Sequence, residues 1–190
     1  MDPTRGDSEM KFVASDLLSM PDDHKRYEVI DGELHVHDPT HYRHQYVCGR
    51  LASALSGWSQ RTGLGEANIA VGLILDDYNS VAPDVVWLSR ERLLESLGED
   101  GWLHLAPELI AEILLPGDLH AQRDYQIKRE LYSRFGVQEY WVISWQQQQT
   151  DIYRQTNGEL RWFRTLQSED TIESPMLPGF SCRVKSLFLP

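Results

Sequence analysis

An acidic residue stands in the middle of the apolar segment ELIAEILL, residues 108–115. The segment is short and aliphatic, so we predict a central strand that ends at Pro116-Gly117. Strand alternation places Glu112 on the same face as Ile110 and Leu114. A carboxylate between apolar neighbours is at least partly buried, and it then requires a cation, a hydrogen-bond donor or a proton. A structural salt bridge and a functional site both satisfy that requirement.

A second acid stands near the start of the predicted strand VAPDVVWLS, residues 81–89. Asp84 follows Pro83 and shares its strand face with Val86. Pro-Asp is also a common turn at strand entry, so the dipeptide alone indicates little. If this strand neighbours the one that holds Glu112, the two carboxylates repel each other unless Mg²⁺ or Mn²⁺ lies between them. The two acids are therefore candidate metal ligands.

A helix is predicted from Ala121 to Phe135, where Gly136 ends it. Lys128 lies on the same stripe as Leu131, at the edge of the inward face, from which an ammonium group can reach a phosphate. Spacing alone favours a different interpretation. An Asp124–Lys128 pair on the helix surface would contribute only a few tenths of a kcal/mol.

The segment YEVIDGELHVH, residues 27–37, predicts a β-hairpin around Asp31-Gly32. In a two-residue turn Glu28 faces His35 across the ladder. Glu28 is then either a third acid of the site or a surface residue.

Histidines are dense in this part of the chain, and they suggest a zinc hydrolase as a separate hypothesis. The candidate ligands are His35, His37, His41 and His44, together with Asp38. Their spacing matches no strong zinc signature. His44 also lies on the apolar stripe of a helix predicted over residues 41–60, and an inward histidine is more often a satisfied core residue.

The order hairpin, helix, strands, helix, strand indicates an α/β or α+β protein with a mixed central sheet. At 190 residues the chain is expected to form one domain over residues 11–190, preceded by a flexible tail over residues 1–10. Alternating short strands and turns are predicted for the C-terminal part.

Charge and cysteine content limit the classes of partner. With 18 basic and 29 acidic residues the formal charge is −11, which argues against binding nucleic acid or anionic membrane by bulk electrostatics. A local basic strip or a bound divalent cation can offset that charge. Cys48 and Cys182 form no CxxC motif, no signal peptide is visible, and no run approaches the roughly 18 apolar residues of a membrane helix. We expect a cytoplasmic protein without a membrane segment.

Five segments follow one another in the order YEVIDGEL, RHQYVCGRL, VAPDVVWL, PELIAEILLPG and DYQIKRELYSRFGVQEYWVI, and SPMLPGFSCRVKSLF closes the chain. This order resembles the Uma-type family of restriction-endonuclease-like proteins, from about Phe12 to Phe188. The resemblance implies the PD-(D/E)XK nuclease fold, a mixed β-sheet flanked by helices.

The resemblance also implies site residues by position. Asp84 would be the first acid and Glu112 the second, and both would bind Mg²⁺ or Mn²⁺. The lysine expected two residues after the second acid is replaced by Leu114. The family supplies its lysine from the following helix, which points to Lys128. Glu28 and His44 match further family positions and are expected as auxiliary site residues.

The function implied by the resemblance is metal-dependent hydrolysis of phosphodiester bonds in nucleic acid, with DNA as the expected substrate. A homodimer is expected, because cutting both strands of a duplex usually requires two sites. The alternative is a catalytically silent nuclease fold that acts as a binding or regulatory module.

Overall fold

The structure is a computed structural model and describes residues 11–39, 41–114 and 119–189. The tail predicted for residues 1–10 lies outside these ranges. The helical elements are a 3₁₀ turn (Ala14–Ser19), α1 (Tyr42–Thr62), α2 (Arg90–Ser96), α3 (Leu119–Arg134) and a second 3₁₀ turn (Val184–Leu187). The strands are β1 (Arg26–Ile30), β2 (Glu33–His37), β3 (Gly65–Ile69), β4 (Leu73–Asp76), β5 (Asn79–Val81), β6 (Val85–Ser89), β7 (Leu109–Leu114), β8 (Glu139–Ser144), β9 (Gln149–Thr156), β10 (Glu159–Leu166), β11 (Thr171–Ser174) and β12 (Leu177–Arg183).

Six of these strands form the central sheet, in the order β10-β9-β8-β7-β6-β3. Strands β7 and β8 are parallel and are connected by α3, whereas the other neighbours are antiparallel. A second sheet has the order β2-β1-β5-β4, and β11 pairs with β12. The mixed sheet with flanking helices, an N-terminal hairpin and short C-terminal strands confirms the predicted α+β architecture.

The two faces of the central sheet belong to different parts of the core. Ala111 and Ile113 of β7 lie in a cluster with Leu51 of α1. Ile110, on the opposite face, lies in a cluster with Leu131 of α3. The alternation predicted for this strand is therefore confirmed, and Glu112 is on the face that α3 covers.

Helix α1 buries the stripe that the sequence predicts for it, and His44 lies on that buried side. The helix starts after His41, whose ring accepts a hydrogen bond from the backbone N–H of Arg43, and it ends at Gly63 with a φ of 70°. A left-handed residue at this position closes the last turn, and glycine adopts that conformation without strain. No helix among the described residues is both long and apolar enough to cross a membrane.

The N-terminal hairpin has the predicted register. Ile30 pairs with Glu33 and Glu28 pairs with His35, while Asp31 and Gly32 form the turn with φ values of 53° and 84°. Two consecutive positive φ values are typical of the turn that matches the twist of a two-residue hairpin.

The apolar run IAVGLIL, residues 69–75, predicts one strand, and as a single element that prediction is wrong. Strand β3 ends at Ile69 and pairs with β6, whereas β4 begins at Leu73 and pairs with β5 in the other sheet. At the break Ala70 has a φ of 48° and its N–H donates to the carbonyl of Asp84. The sequence pattern before Pro21 also predicts a short amphipathic helix around residues 12–20, and in the structure it is reduced to the first 3₁₀ turn.

Candidate active site

Asp84 and Glu112 lie opposite each other on neighbouring strands. Strands β6 and β7 are antiparallel, with Val85 paired to Ala111, and the same register carried one residue further sets Asp84 against Glu112. Both acids are almost completely buried. The structure therefore brings together the two carboxylates that the sequence marks as candidate metal ligands.

Asp84 is held by three donors from three elements. Nη1 of Arg26 donates to Oδ1 at 3.0 Å, the backbone N–H of Ile113 donates to Oδ2 at 2.9 Å, and Nε2 of His44 lies 3.0 Å from the same Oδ2. Burial alone would raise the pKa of Asp84. The hydrogen bond and charge of His44, together with the charge of Arg26, outweigh burial and hold this pKa well below its usual range.

Glu112 is bonded through one of its two oxygens. Its Oε1 accepts hydrogen bonds from Nζ of Lys128 at 3.1 Å and from the hydroxyl of Tyr132 at 2.8 Å. None of the described residues donates a hydrogen bond to Oε2. Burial raises the pKa of Glu112, Lys128 opposes that rise, and the negative charge of Asp84 adds to it, so that the net direction is upward.

Glu28 and Lys128 connect the small sheet to α3. Oε1 of Glu28 accepts from the backbone N–H of Ala82 at 2.8 Å and from Nζ of Lys128 at 3.1 Å, and Nε2 of His37 lies 3.0 Å from Oε2. Burial would raise the pKa of Glu28, but the charge of Lys128, the hydrogen bond of His37 and the charge of Arg26 together outweigh burial and lower it. Burial likewise opposes the charge on Lys128, and Glu112 and Glu28 together raise its pKa. Lys128 is thus a buried cation between two acids, and the surface pair favoured by helix spacing is wrong.

The carboxylates of this cluster outnumber its permanent cations. Three carboxylates, Glu28, Asp84 and Glu112, face two permanently charged cations, Arg26 and Lys128, and the two histidines His37 and His44 also contact them. Burial is the largest cause of the upward pKa of Glu112, and the negative charges of Asp84 and Glu28 add to it. A set of oxygen donors that includes an Oε2 to which none of the described residues donates fits a hard divalent cation such as Mg²⁺ or Mn²⁺.

The histidines do not gather into the predicted zinc hydrolase. His44 contacts Asp84, His37 contacts Glu28, and His41 stacks on Trp145 with ring centroids 5.8 Å apart. Among the described residues, the group of three or more possible ligands consists of His44 and Asp84 with Cys48. The hypothesis of a site built from four histidines is therefore wrong, because the hairpin and α1 direct them to different neighbours.

Two contributors were missed in the sequence. Arg26 lies two residues before Glu28 on β1, so strand alternation would have placed both on one face. Tyr132 lies one helical turn after Lys128 on α3, a spacing that puts two side chains side by side. Neither an arginine nor a tyrosine marks a site by itself. The available signal was the spacing of Arg26 from Glu28 and of Tyr132 from Lys128.

Comparisons with known proteins identify the family and the fold. The sequence model of the Uma2 family, described as "Putative restriction endonuclease", matches residues 14–185. A crystal structure of "a putative nuclease belonging to DUF820" from Anabaena variabilis ATCC 29413 is similar with a TM-score of 0.75 and 19% sequence identity, over 93% of this chain and 97% of that one. At that identity the likeness shows a shared fold. No curated protein matches the chain.

Proposed function

The chain belongs to the Uma2 family, and we propose that it is a metal-dependent endonuclease that hydrolyses phosphodiester bonds in nucleic acid, with DNA as its substrate. The observation that carries this proposal is the pair Asp84 and Glu112, which face each other at 5% and 7% exposure in a cluster whose acids outnumber its permanent cations. Buried negative charge in excess is costly to a fold unless a ligand uses it.

Asp84 and Glu112 would hold Mg²⁺ or Mn²⁺, and Glu28 is the third carboxylate within the cluster. When bound, such an ion polarises a phosphoryl oxygen and lowers the pKa of a coordinated water. Oε2 of Glu112, to which no donor in the described ranges is bonded, is the oxygen most available for this role.

Lys128 supplies positive charge beside the reacting phosphate. Its ammonium remains protonated, because Glu112 and Glu28 raise its pKa despite burial. An ammonium fixed between two acids is already oriented before substrate arrives, so it stabilises charge that develops on the phosphate without reorganisation. Glu28 acts on Lys128 by holding it in place through both of its oxygens.

Three further side chains position the acids. Arg26 and His44 fix the two oxygens of Asp84, and Tyr132 fixes Oε1 of Glu112. Contacts of this kind restrict rotamers and keep ligand atoms aimed at one point. We assign them positioning roles and no direct contact with substrate.

A homodimer and a cytoplasmic location complete the proposal. Cutting both strands of a duplex requires two sites, which two copies of this chain would provide. Cys48 and Cys182 are both free thiols, which is consistent with a reducing compartment. Light scattering would test the assembly, and a monomer at all concentrations would contradict it.

One observation favours the alternative, a silent nuclease fold used for binding or regulation. Both oxygens of Asp84 and one oxygen of Glu112 are already bonded to protein donors. In a silent fold these bonds would be purely structural, and the protein would have no need for a divalent cation.

The experiment that separates the two is cleavage of labelled single- and double-stranded DNA in the presence of Mg²⁺ or Mn²⁺. We expect metal-dependent cleavage by the wild type and a loss of at least about 10²–10³-fold in Asp84→Asn and in Glu112→Gln. Glu139→Gln, which changes a buried acid remote from the cluster, is the matched control and retains cleavage. Equal cleavage by all four proteins would contradict the proposal.

A further inference from the structure

A second set of ligand atoms lies beside Asp84, on the side of α1. His44 and Cys48 are one helical turn apart on that helix, and both are buried. Nε2 of His44 is 3.0 Å from Oδ2 of Asp84, and Sγ of Cys48 is 3.5 Å from Nδ1 of His44. If one ligand atom is taken from each of His44, Cys48 and Asp84, the three atoms lie within 4.8 Å of one another.

The chemistry of this set differs from that of the carboxylate cluster. Imidazole nitrogen, thiolate sulfur and carboxylate oxygen are the three ligand types that Zn²⁺ takes, and sulfur excludes Mg²⁺. Zinc bonds of roughly 2.0–2.3 Å put the ligand atoms of a tetrahedral site about 3.3–3.8 Å apart. Side chains that already lie within 4.8 Å reach such separations by small changes of rotamer.

The charges also suit a soft divalent ion. In the metal-free protein, burial raises the pKa of the Cys48 thiol, and the negative charges of Asp84 and Glu112 raise it further. The thiol is therefore protonated until an ion displaces its proton. The thiolate and Asp84 together then supply two negative charges to the ion, while Arg26 keeps its contact with the other oxygen, Oδ1.

We propose that His44, Cys48 and Asp84 form a binding site for a thiophilic divalent cation, with Zn²⁺ as its ligand, separate from the carboxylate cluster but sharing Asp84 with it. Three protein ligands leave a fourth position for water. Zinc bound there occupies Oδ2 of Asp84 and so competes with the hard cation at Asp84 and Glu112. This second consequence, inhibition by zinc, rests on the proposed nuclease function, whereas zinc binding itself does not.

Binding is tested with Co²⁺ as a spectroscopic probe, because thiolate coordination gives it a sulfur-to-metal absorption band in the near ultraviolet. The full chain is reduced, freed of metal and titrated with Co²⁺ in the wild type, Cys48→Ser and Cys182→Ser. Cys182 is the matched control, since it is the other cysteine of the chain, is also buried, and lies near Ser186 instead of a histidine. Circular dichroism of each variant checks that it is folded.

We expect the band in the wild type and in Cys182→Ser, its loss in Cys48→Ser, and its removal by one equivalent of Zn²⁺. Zinc affinity should fall at least about tenfold in Cys48→Ser, because the site loses its sulfur ligand. A wild type without the band, or a band of equal strength in Cys48→Ser, would overturn the proposal.

Inhibition is measured separately, as DNA cleavage with Mg²⁺ in the presence of increasing Zn²⁺. The wild type and Cys182→Ser should be inhibited at zinc concentrations at least about tenfold lower than Cys48→Ser. If the wild type shows the cobalt band but no cleavage under any condition, the nuclease proposal fails and the zinc site stands. If it cleaves DNA and zinc inhibits Cys48→Ser equally well, the competition at Asp84 is contradicted.

Discussion

Buried acids occur in two regions of the described part of this chain, and the surroundings of the two regions differ. Glu139, at the start of β8, accepts hydrogen bonds from the indole N–H of Trp141 at 2.8 Å and from Nε of Arg154 at 2.7 Å. Here one carboxylate meets one cation. Glu112 lies on the neighbouring strand β7, further along the β7–β8 pair. It forms a buried cluster with Asp84 and Glu28, and these three acids outnumber the permanent cations of the cluster.

The comparison teaches that burial of a carboxylate does not by itself mark a functional site. Glu139 is as buried as the candidate catalytic acids, yet its charge is matched and both its oxygens are bonded. What distinguishes the candidate site is convergence of acids from β1, the β5–β6 connection and β7 beyond what Arg26 and Lys128 neutralise. The following predictions test that distinction.

Removing one cation from each region should lower the free energy of unfolding by unequal amounts. Lys128→Met leaves two buried carboxylates without their shared partner and should lower the free energy of unfolding by about 3–5 kcal/mol. Arg154→Met should cost only about 1–3 kcal/mol, since Arg154 is 28% exposed and serves a single acid. Urea unfolding without divalent metal measures both values. A larger loss of unfolding free energy in Arg154→Met than in Lys128→Met would contradict the difference proposed between the two regions.

Acid should weaken the candidate site through Glu28. Because the fold lowers the pKa of Glu28, the unfolded chain binds the proton more readily, and stability is lost as the pH falls through the ordinary glutamate range. In Glu28→Gln the difference in unfolding free energy between pH 6 and pH 3 should shrink by on the order of 2 kcal/mol. Glu159→Gln, in an exposed ion pair, is the control. An unchanged difference in Glu28→Gln would show that its charge is not stabilised by the fold.

Neutralising one acid should change stability in opposite directions in the two regions. Glu112→Gln removes a negative charge that burial and Asp84 disfavour, while the amide oxygen still accepts hydrogen bonds from Lys128 and Tyr132. We therefore expect the free energy of unfolding to rise by about 0.5–2 kcal/mol at neutral pH. Glu139→Gln removes the partner of Arg154 and should cost about 1–2 kcal/mol. Unfolding in the presence of a chelator measures both. Loss of stability in both variants would mean that Glu112 is only a structural acid.

Much of this arrangement was accessible from the sequence, and the reasons are physical. Period-two alternation predicted the face of Glu112, and the Asp31-Gly32 turn predicted the hairpin register that fixes Glu28. The five predicted site residues converge in the structure, although their roles remain proposals. Resemblance to a family was needed for Lys128, because helix spacing alone favoured a surface pair.

The features that could not be predicted from the sequence depend on tertiary contacts. The register between β6 and β7, which sets Asp84 against Glu112, joins strands separated by α2 and a loop and leaves no local signal. At the break over residues 70–72 the chain passes from one sheet to the other, and Gly72 there lies against the ring of Trp102, thirty residues away in sequence. Arg26 and Tyr132 became recognisable only once their partners were known.

The most direct test of the account is calorimetric titration of the chelator-treated protein with Mn²⁺, in the wild type, Glu112→Gln and Glu139→Gln. Excess acid at the candidate site predicts that the wild type and Glu139→Gln bind Mn²⁺ alike and that Glu112→Gln binds it at least about tenfold more weakly, since a ligand oxygen is lost. No binding by the wild type, or equal binding by Glu112→Gln, would contradict the central claim that this cluster is a cation site.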